Sequence, residues 1–168
     1  EVQEAHWSEL EYQAMDLKRS SNPLHQAEAK KIYELLGEDY LAHKMYQESI
    51  WSFRHAGNHN RAKELHEWLI DILTNSPLKL TEIEVGGVTK SKIYELAPGV
   101  KVIGKVQTGV RKGSQSPHDE VLAYKISEAL GMDRISTTVM RTVNGKAMSI
   151  QVLVRSNKSS PRWIEYSS

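Results

Sequence analysis

GVKVIGKVQTGVRKGSQSPHDEVLAYKISEALG, residues 99–131, changes its hydrophobic period partway along. In Val100–Val106 the residues are mostly β-branched and interrupted by Lys101 and Lys105, as in a half-buried strand. A polar, glycine-bearing loop follows, from Gln107 to Ser116. Then Leu122, Ile126, Ala129 and Leu130 recur at helical spacing, which predicts a helix with those four as its buried stripe. Ser116 is placed to cap that helix, Pro117 to open it, Asp119 and Glu120 to sit in its first turn, and Gly131 to close it. One strand therefore feeds one helix.

Further strands are expected on both sides. Upstream, residues 78–85 (LKLTEIEV) and 90–96 (KSKIYEL) flank a Gly86-Gly87 turn, and Pro98-Gly99 makes the next one. Downstream, Thr137–Val143 and Ala147–Val154 are joined by Asn144-Gly145, the strongest short hairpin signal. The order is three strands, a helix and two strands.

Before Thr74-Asn75-Ser76-Pro77 the composition is different, rich in Glu, Ala, Leu, His and Lys with apolar residues at helical spacing. A helix is expected from Val2 to Arg19, with Trp7, Leu10, Ala14 and Leu17 on one face. A second runs from Pro23 toward Gly37, a third from about Glu38 to Ala56, and a fourth ends near Leu73 after a break at Gly57-Asn58. Short links between helices of this length demand antiparallel neighbours. The fold class is thus α+β: antiparallel helical hairpins over 1–75, then a five-stranded antiparallel sheet with one helix over 78–168.

Tyr33, Leu36, Gly37, Tyr40, Tyr46, Ser49, Phe53 and Ala56 resemble, in type and spacing, the signature of a tetratricopeptide repeat, a helix pair of about 34 residues. Gly37 and the small Ser49 would let two helices approach closely, with Tyr33, Tyr40 and Phe53 filling the gaps between them. Such modules bind extended or helical peptides. A protein or peptide partner is therefore expected on the helical part, with Asn58, Asn60, Arg61 and Lys63 as contacts.

The bulk composition excludes several classes. The chain has 168 residues, with Lys+Arg 22 against Asp+Glu 21 and a formal charge of +1, and its charges are mixed rather than blocked. Nothing in this pattern recruits nucleic acid. No apolar run reaches the roughly 20 residues of a membrane span, so a soluble protein of unassigned compartment is expected. Cysteine is absent, which rules out disulfides and thiolate metal sites in these residues. His55, His59 and His66 do not complete a metal-ligand spacing, because Gly57-Asn58 interrupts the helix that would align them.

Phosphoryl transfer of the kinase type needs a cation placed on the nucleotide phosphates and held there by a carboxylate from a neighbouring helix. Lys105 and Glu120 are the pair the segment order offers. At this point GVKVIGKV, Glu120-Val121-Leu122-Ala123-Tyr124, Leu130-Gly131, Ile135-Ser136-Thr137-Thr138-Val139 and Met148-Ser149-Ile150-Gln151 resemble the small lobe of a group of atypical kinases. The group includes phosphatidylinositol 3/4-kinase-like bacterial proteins, the HipA toxins and the secretory-pathway kinases. The resemblance covers about residues 81–154, with Ser136-Thr137 standing where a Pro pair is usual.

It implies that Lys105 contacts the phosphates of ATP, that Glu120 orients Lys105, that Gly86 and Gly87 belong to the phosphate loop, and that Gln151, Val152, Leu153 and Val154 border the adenine. Magnesium would accompany the nucleotide. After Val154 only RSNKSSPRWIEYSS follows, with no catalytic Asp and no metal-binding acidic or Asn pair. Catalysis by this chain alone is not expected, whether it is a fragment of a kinase or a truncated relative. The rival expectation is an interaction scaffold with no nucleotide site.

Overall fold

The structure, a computed structural model, describes residues 2–85, 90–106 and 116–155. Its elements run α1 (Val2–Arg19), α2 (Pro23–Ala42), α3 (Tyr46–His55), α4 (His59–Asn75), β1 (Lys79–Val85), β2 (Lys90–Ala97), β3 (Val100–Val106), α5 (Pro117–Ala129), β4 (Thr138–Val143) and β5 (Lys146–Val152). The strands form one five-stranded sheet in the order β1-β2-β3-β5-β4, antiparallel at every pairing. The expected α+β arrangement, helices first and then a sheet with one helix, is what the chain adopts. Among the described residues no helix is long and apolar enough to cross a membrane.

The described residues divide into two compact units whose boundary falls within α4. One holds the residues up to His66 together with Val154 and Arg155; the other is Glu67–Leu153.

In the helical unit, Trp7 and Ala14 of α1 bury against Tyr33, Leu36 and Tyr40 of α2. Gly37 does not end a helix as its composition suggests. The break comes instead at His43-Lys44-Met45, where Lys44 has a φ of 60°. Gly37 lies in the middle of α2 because a side chain there would meet the Phe53 ring at 2.7 Å. Ser49 completes the approach by donating its hydroxyl to the Gly37 carbonyl at 2.7 Å. Glycine's helix-breaking tendency is overridden by a contact only it permits.

The same unit buries a charge cluster. The Arg155 and Glu11 side chains are 3% and 2% exposed and lie 3.3 Å apart. Arg155 Nη2 also reaches the Tyr40 hydroxyl at 3.3 Å, and that hydroxyl donates to Glu11. The Arg155 backbone N–H donates to Glu48 Oε2 at 3.1 Å, while the guanidinium lies over the Trp7 and Tyr40 rings. The helical core thus contains two buried carboxylates, Glu11 paired with the Arg155 guanidinium and Glu48 bonded to the Arg155 backbone, so both are met by a residue far along the chain.

In the sheet unit, cross-strand partners share a face. Lys92, Gly104, Ile150 and Val139 lie in one row, and Ser91, Lys105, Ser149 and Met140 in the next row on the opposite face. Gly104 is required beside Lys105, since a Cβ there would stand 2.8 Å from the Tyr94 ring and 3.0 Å from Met148 Sδ. At the end of α4, Arg141 Nη1 donates to the carbonyls of Leu73 and Ser76 at 3.3 and 2.7 Å, satisfying groups a helix terminus leaves open. Asn144 and Gly145 both take positive φ, as the tight β4–β5 hairpin requires.

Helix α5 begins with the anticipated Ser116 cap, reinforced by the Asp119 side chain in a reciprocal capping box. Its rotation differs from expectation. Leu122, Ile126 and Leu130 are 56, 51 and 66% exposed, and Ala129 is exposed as well. The inward residues are Pro117, Glu120, Tyr124 and Ser127, the last three offset from the apolar stripe by two positions, or roughly 200° around the helix. One helix cannot present both faces to the sheet, and the face carrying Glu120 is the one that docks.

Arg155→Met is expected to destabilise the protein by about 3–5 kcal/mol, because it strands a buried carboxylate. Arg155→Met combined with Glu11→Leu should recover much of that loss. Urea denaturation checks both, and a double variant no more stable than the single one contradicts the pairing.

Candidate functional site

Lys105 stands near the end of the central strand β3 and Ser149 opposite it on β5, so both side chains leave the same face of the sheet. Helix α5 brings Glu120, in its first turn, over that face. The Lys105 ammonium and Glu120 Oε1 meet at 2.9 Å, with side chains 29 and 11% exposed. The fully buried Ser149 donates its hydroxyl to the other oxygen, Glu120 Oε2, at 2.8 Å. Three elements thus converge on one carboxylate, each of whose oxygens has its own donor. The first turn of α5 favours that negative charge further through the helix dipole.

Chemically the group is an ammonium held at a fixed place with capacity left over. A lysine carries three N–H donors, and Glu120 takes one of them. The remaining donors, on a partly exposed ammonium, suit an anionic oxygen such as that of a phosphate.

The other anticipated site residues are distributed less simply. Gln151 is on the same face as Lys105, but its amide donates to the Thr138 hydroxyl at 2.9 Å, and that hydroxyl donates in turn to the Ser136 carbonyl. The backbone of Val152 is engaged on both sides, its N–H with the Thr137 carbonyl and its carbonyl with the Ser136 hydroxyl. The Leu153 N–H donates to the Lys101 carbonyl, while its side chain is exposed. Val154 is half-buried and belongs to the helical unit. Gly86 and Gly87 lie outside the described residues. The structure therefore joins Lys105 to Glu120 and places Gln151 on the same face of the sheet, two register pairs away, opposite Ile103.

On the helical unit, Asn58 donates to Glu34 at 3.0 Å, and Arg61 pairs with Glu38 at 3.0 Å while lying over the Phe53 ring. Two of the anticipated peptide contacts thus already have partners within the unit. Among the described residues no group of three or more His, Cys, Asp or Glu is placed to hold a metal ion. His55 instead stacks on Tyr33 and is hydrogen-bonded to Lys18.

Sequence reasoning gave Ser149 no role, although a signal for it existed. In KAMSIQV the small polar Ser149 sits two positions before Gln151, so strand alternation puts both on one face. The Glu11–Arg155 pair had no such signal, since 144 positions separate its members.

Compared with known proteins, the chain matches no protein-family model, no curated protein and no solved structure.

A double-mutant cycle on Lys105→Ala and Glu120→Ala should give a coupling energy of about 1–2 kcal/mol from chemical denaturation, above that of an exposed pair. Partial burial should keep most of that coupling at 1 M salt. A coupling that vanishes with salt would mean the pair behaves as a surface contact.

Proposed function

We propose that the sheet unit is the nucleotide-binding small lobe of a kinase-like protein, similar to the atypical kinases that residues 81–154 resemble. The reading rests on one observation, the 2.9 Å contact between Lys105 on β3 and Glu120 on the helix that follows it. In protein kinases a strand-β3 lysine reaches the nucleotide phosphates and is held by a glutamate from the adjacent helix. The strand–helix–strand order and the position of Lys105 beside a close-approach glycine support the same reading.

The ligand is ATP, with magnesium carried on its phosphates. Lys105 binds phosphate oxygen, Glu120 orients Lys105, Gly86 and Gly87 contribute backbone amides to the phosphates, and the segment from Gln151 to Val154 borders the base. The proposal is one of binding, and it assigns no catalytic base and no metal ligands to these residues.

A second reading treats the chain as an interaction scaffold built on a tetratricopeptide-like helix pair, with no nucleotide site. The approach of Phe53 to Gly37, fastened by Ser49, favours it, being the kind of contact the resemblance implies.

Calorimetric titration separates the two. Wild-type protein should bind ATP in the presence of magnesium. Lys105→Ala should weaken ATP binding by roughly 10-fold or more, the worth of one charge-assisted contact, and leave adenosine binding within about twofold. Unaltered ATP affinity in Lys105→Ala removes nucleotide recognition from the account and leaves the scaffold.

A further inference from the structure

A carboxylate holding a lysine by one oxygen remains able to rotate about its terminal torsion and to swing away with its side chain. Glu120 is denied that freedom. Its second oxygen accepts the Ser149 hydroxyl at 2.8 Å, and Ser149 has no exposure to solvent, so the donor does not exchange readily with water. Ser149 is also the register partner of Lys105 across β3 and β5. Strand pairing thus sets the spacing between the two groups that grip one carboxylate from either side. Exposure increases outward, from Ser149 through Glu120 to Lys105, so the ammonium is the most open of the three to an incoming anion.

We infer that Ser149 is a positioning residue: by pinning Glu120 it fixes where Lys105 presents its free N–H groups, and so sets the affinity of the site for phosphate oxygens. The inference rests on the nucleotide reading for its ligand, ATP, but its geometry stands apart from that reading. Ser149 itself touches no substrate. Its hydroxyl acts through Glu120 alone, so its removal should have no effect once Glu120 is gone.

The test uses the full chain as wild type, Ser149→Ala, Glu120→Ala and the double variant, with Ser149→Cys as a near-isosteric replacement should the alanine variant not fold. Two readouts are taken: calorimetric affinity for ATP and for adenosine, and the rate at which acetic anhydride modifies Lys105, measured by mass spectrometry against the exposed Lys125. Ser149→Ala should weaken ATP roughly three- to tenfold with adenosine unchanged, the worth of one hydrogen bond. It should also raise acetylation at Lys105 relative to Lys125, and neither effect should appear in the Glu120→Ala background. Equal penalties in both backgrounds, or equal loss of ATP and adenosine, would make Ser149 a structural residue only and overturn the inference. If the wild type takes up no ATP, the nucleotide reading fails, while the acetylation rates still decide the positioning role: a rise that depends on Glu120 sustains it, and an unchanged rate removes it.

Discussion

Two strands and a helix meet at the carboxylate of Glu120, and much of the sheet unit's arrangement follows from keeping both of its oxygens bonded. A half-buried acid is tolerable only when its charge is matched and its lone pairs are used. Lys105 supplies the charge and Ser149 the second donor, from adjacent strands in register. Because α5 must turn Glu120 inward to meet them, its apolar side turns outward, and Leu122, Ile126 and Leu130 are exposed. A helix docked by apolar burial alone would have taken the opposite rotation. Its inward face sets Pro117 and the Tyr124 ring beside the polar Glu120 and Ser127, and its ends are fixed by polar contacts: the Ser116–Asp119 box at one, and the Ser127 hydroxyl on the Met132 carbonyl at the other.

The helical unit solves a related problem differently. Glu11 is deeper than Glu120, and its charge is matched by a guanidinium three residues beyond the end of β5, with the Tyr40 phenol as a further donor. Both units therefore place acids where solvent is scarce and answer them with a cation from distant sequence. They differ in what remains open. Lys105 keeps access to solvent, whereas Arg155 is enclosed by aromatic rings and carboxylates. The first arrangement suits a ligand; the second suits only the fold.

Local signals in the sequence account for most of the elements. The Pro23 start of α2, the Gly57 break, the Asn144-Gly145 hairpin and the Ser116 cap each rest on chemistry within a few residues, and each stands where that chemistry puts it. Two features that depend on tertiary packing escape such local signals. Gly37 looked like a helix end because the Phe53 ring that requires it is 16 positions away, a separation no local rule sees. The stripe on α5 has the spacing of a buried face yet is exposed, because periodicity reports that a helix is amphipathic without reporting which face docks. The pairing of Lys105 with Glu120 was legible from chemistry and segment order together, and the structure brings the two side chains into contact. Ser149 completes the group from a strand position whose face was legible but whose partner was not.

The central claim is that this group receives a phosphate, and the most direct measurement is a map of backbone amide chemical shifts as magnesium–ATP is added to isotopically labelled protein. The account predicts perturbations concentrated on the end of β3 around Lys105, the first turn of α5 around Glu120, and β5 around Ser149 and Gln151. Perturbations confined to α1–α3, or none at saturating nucleotide, would contradict it.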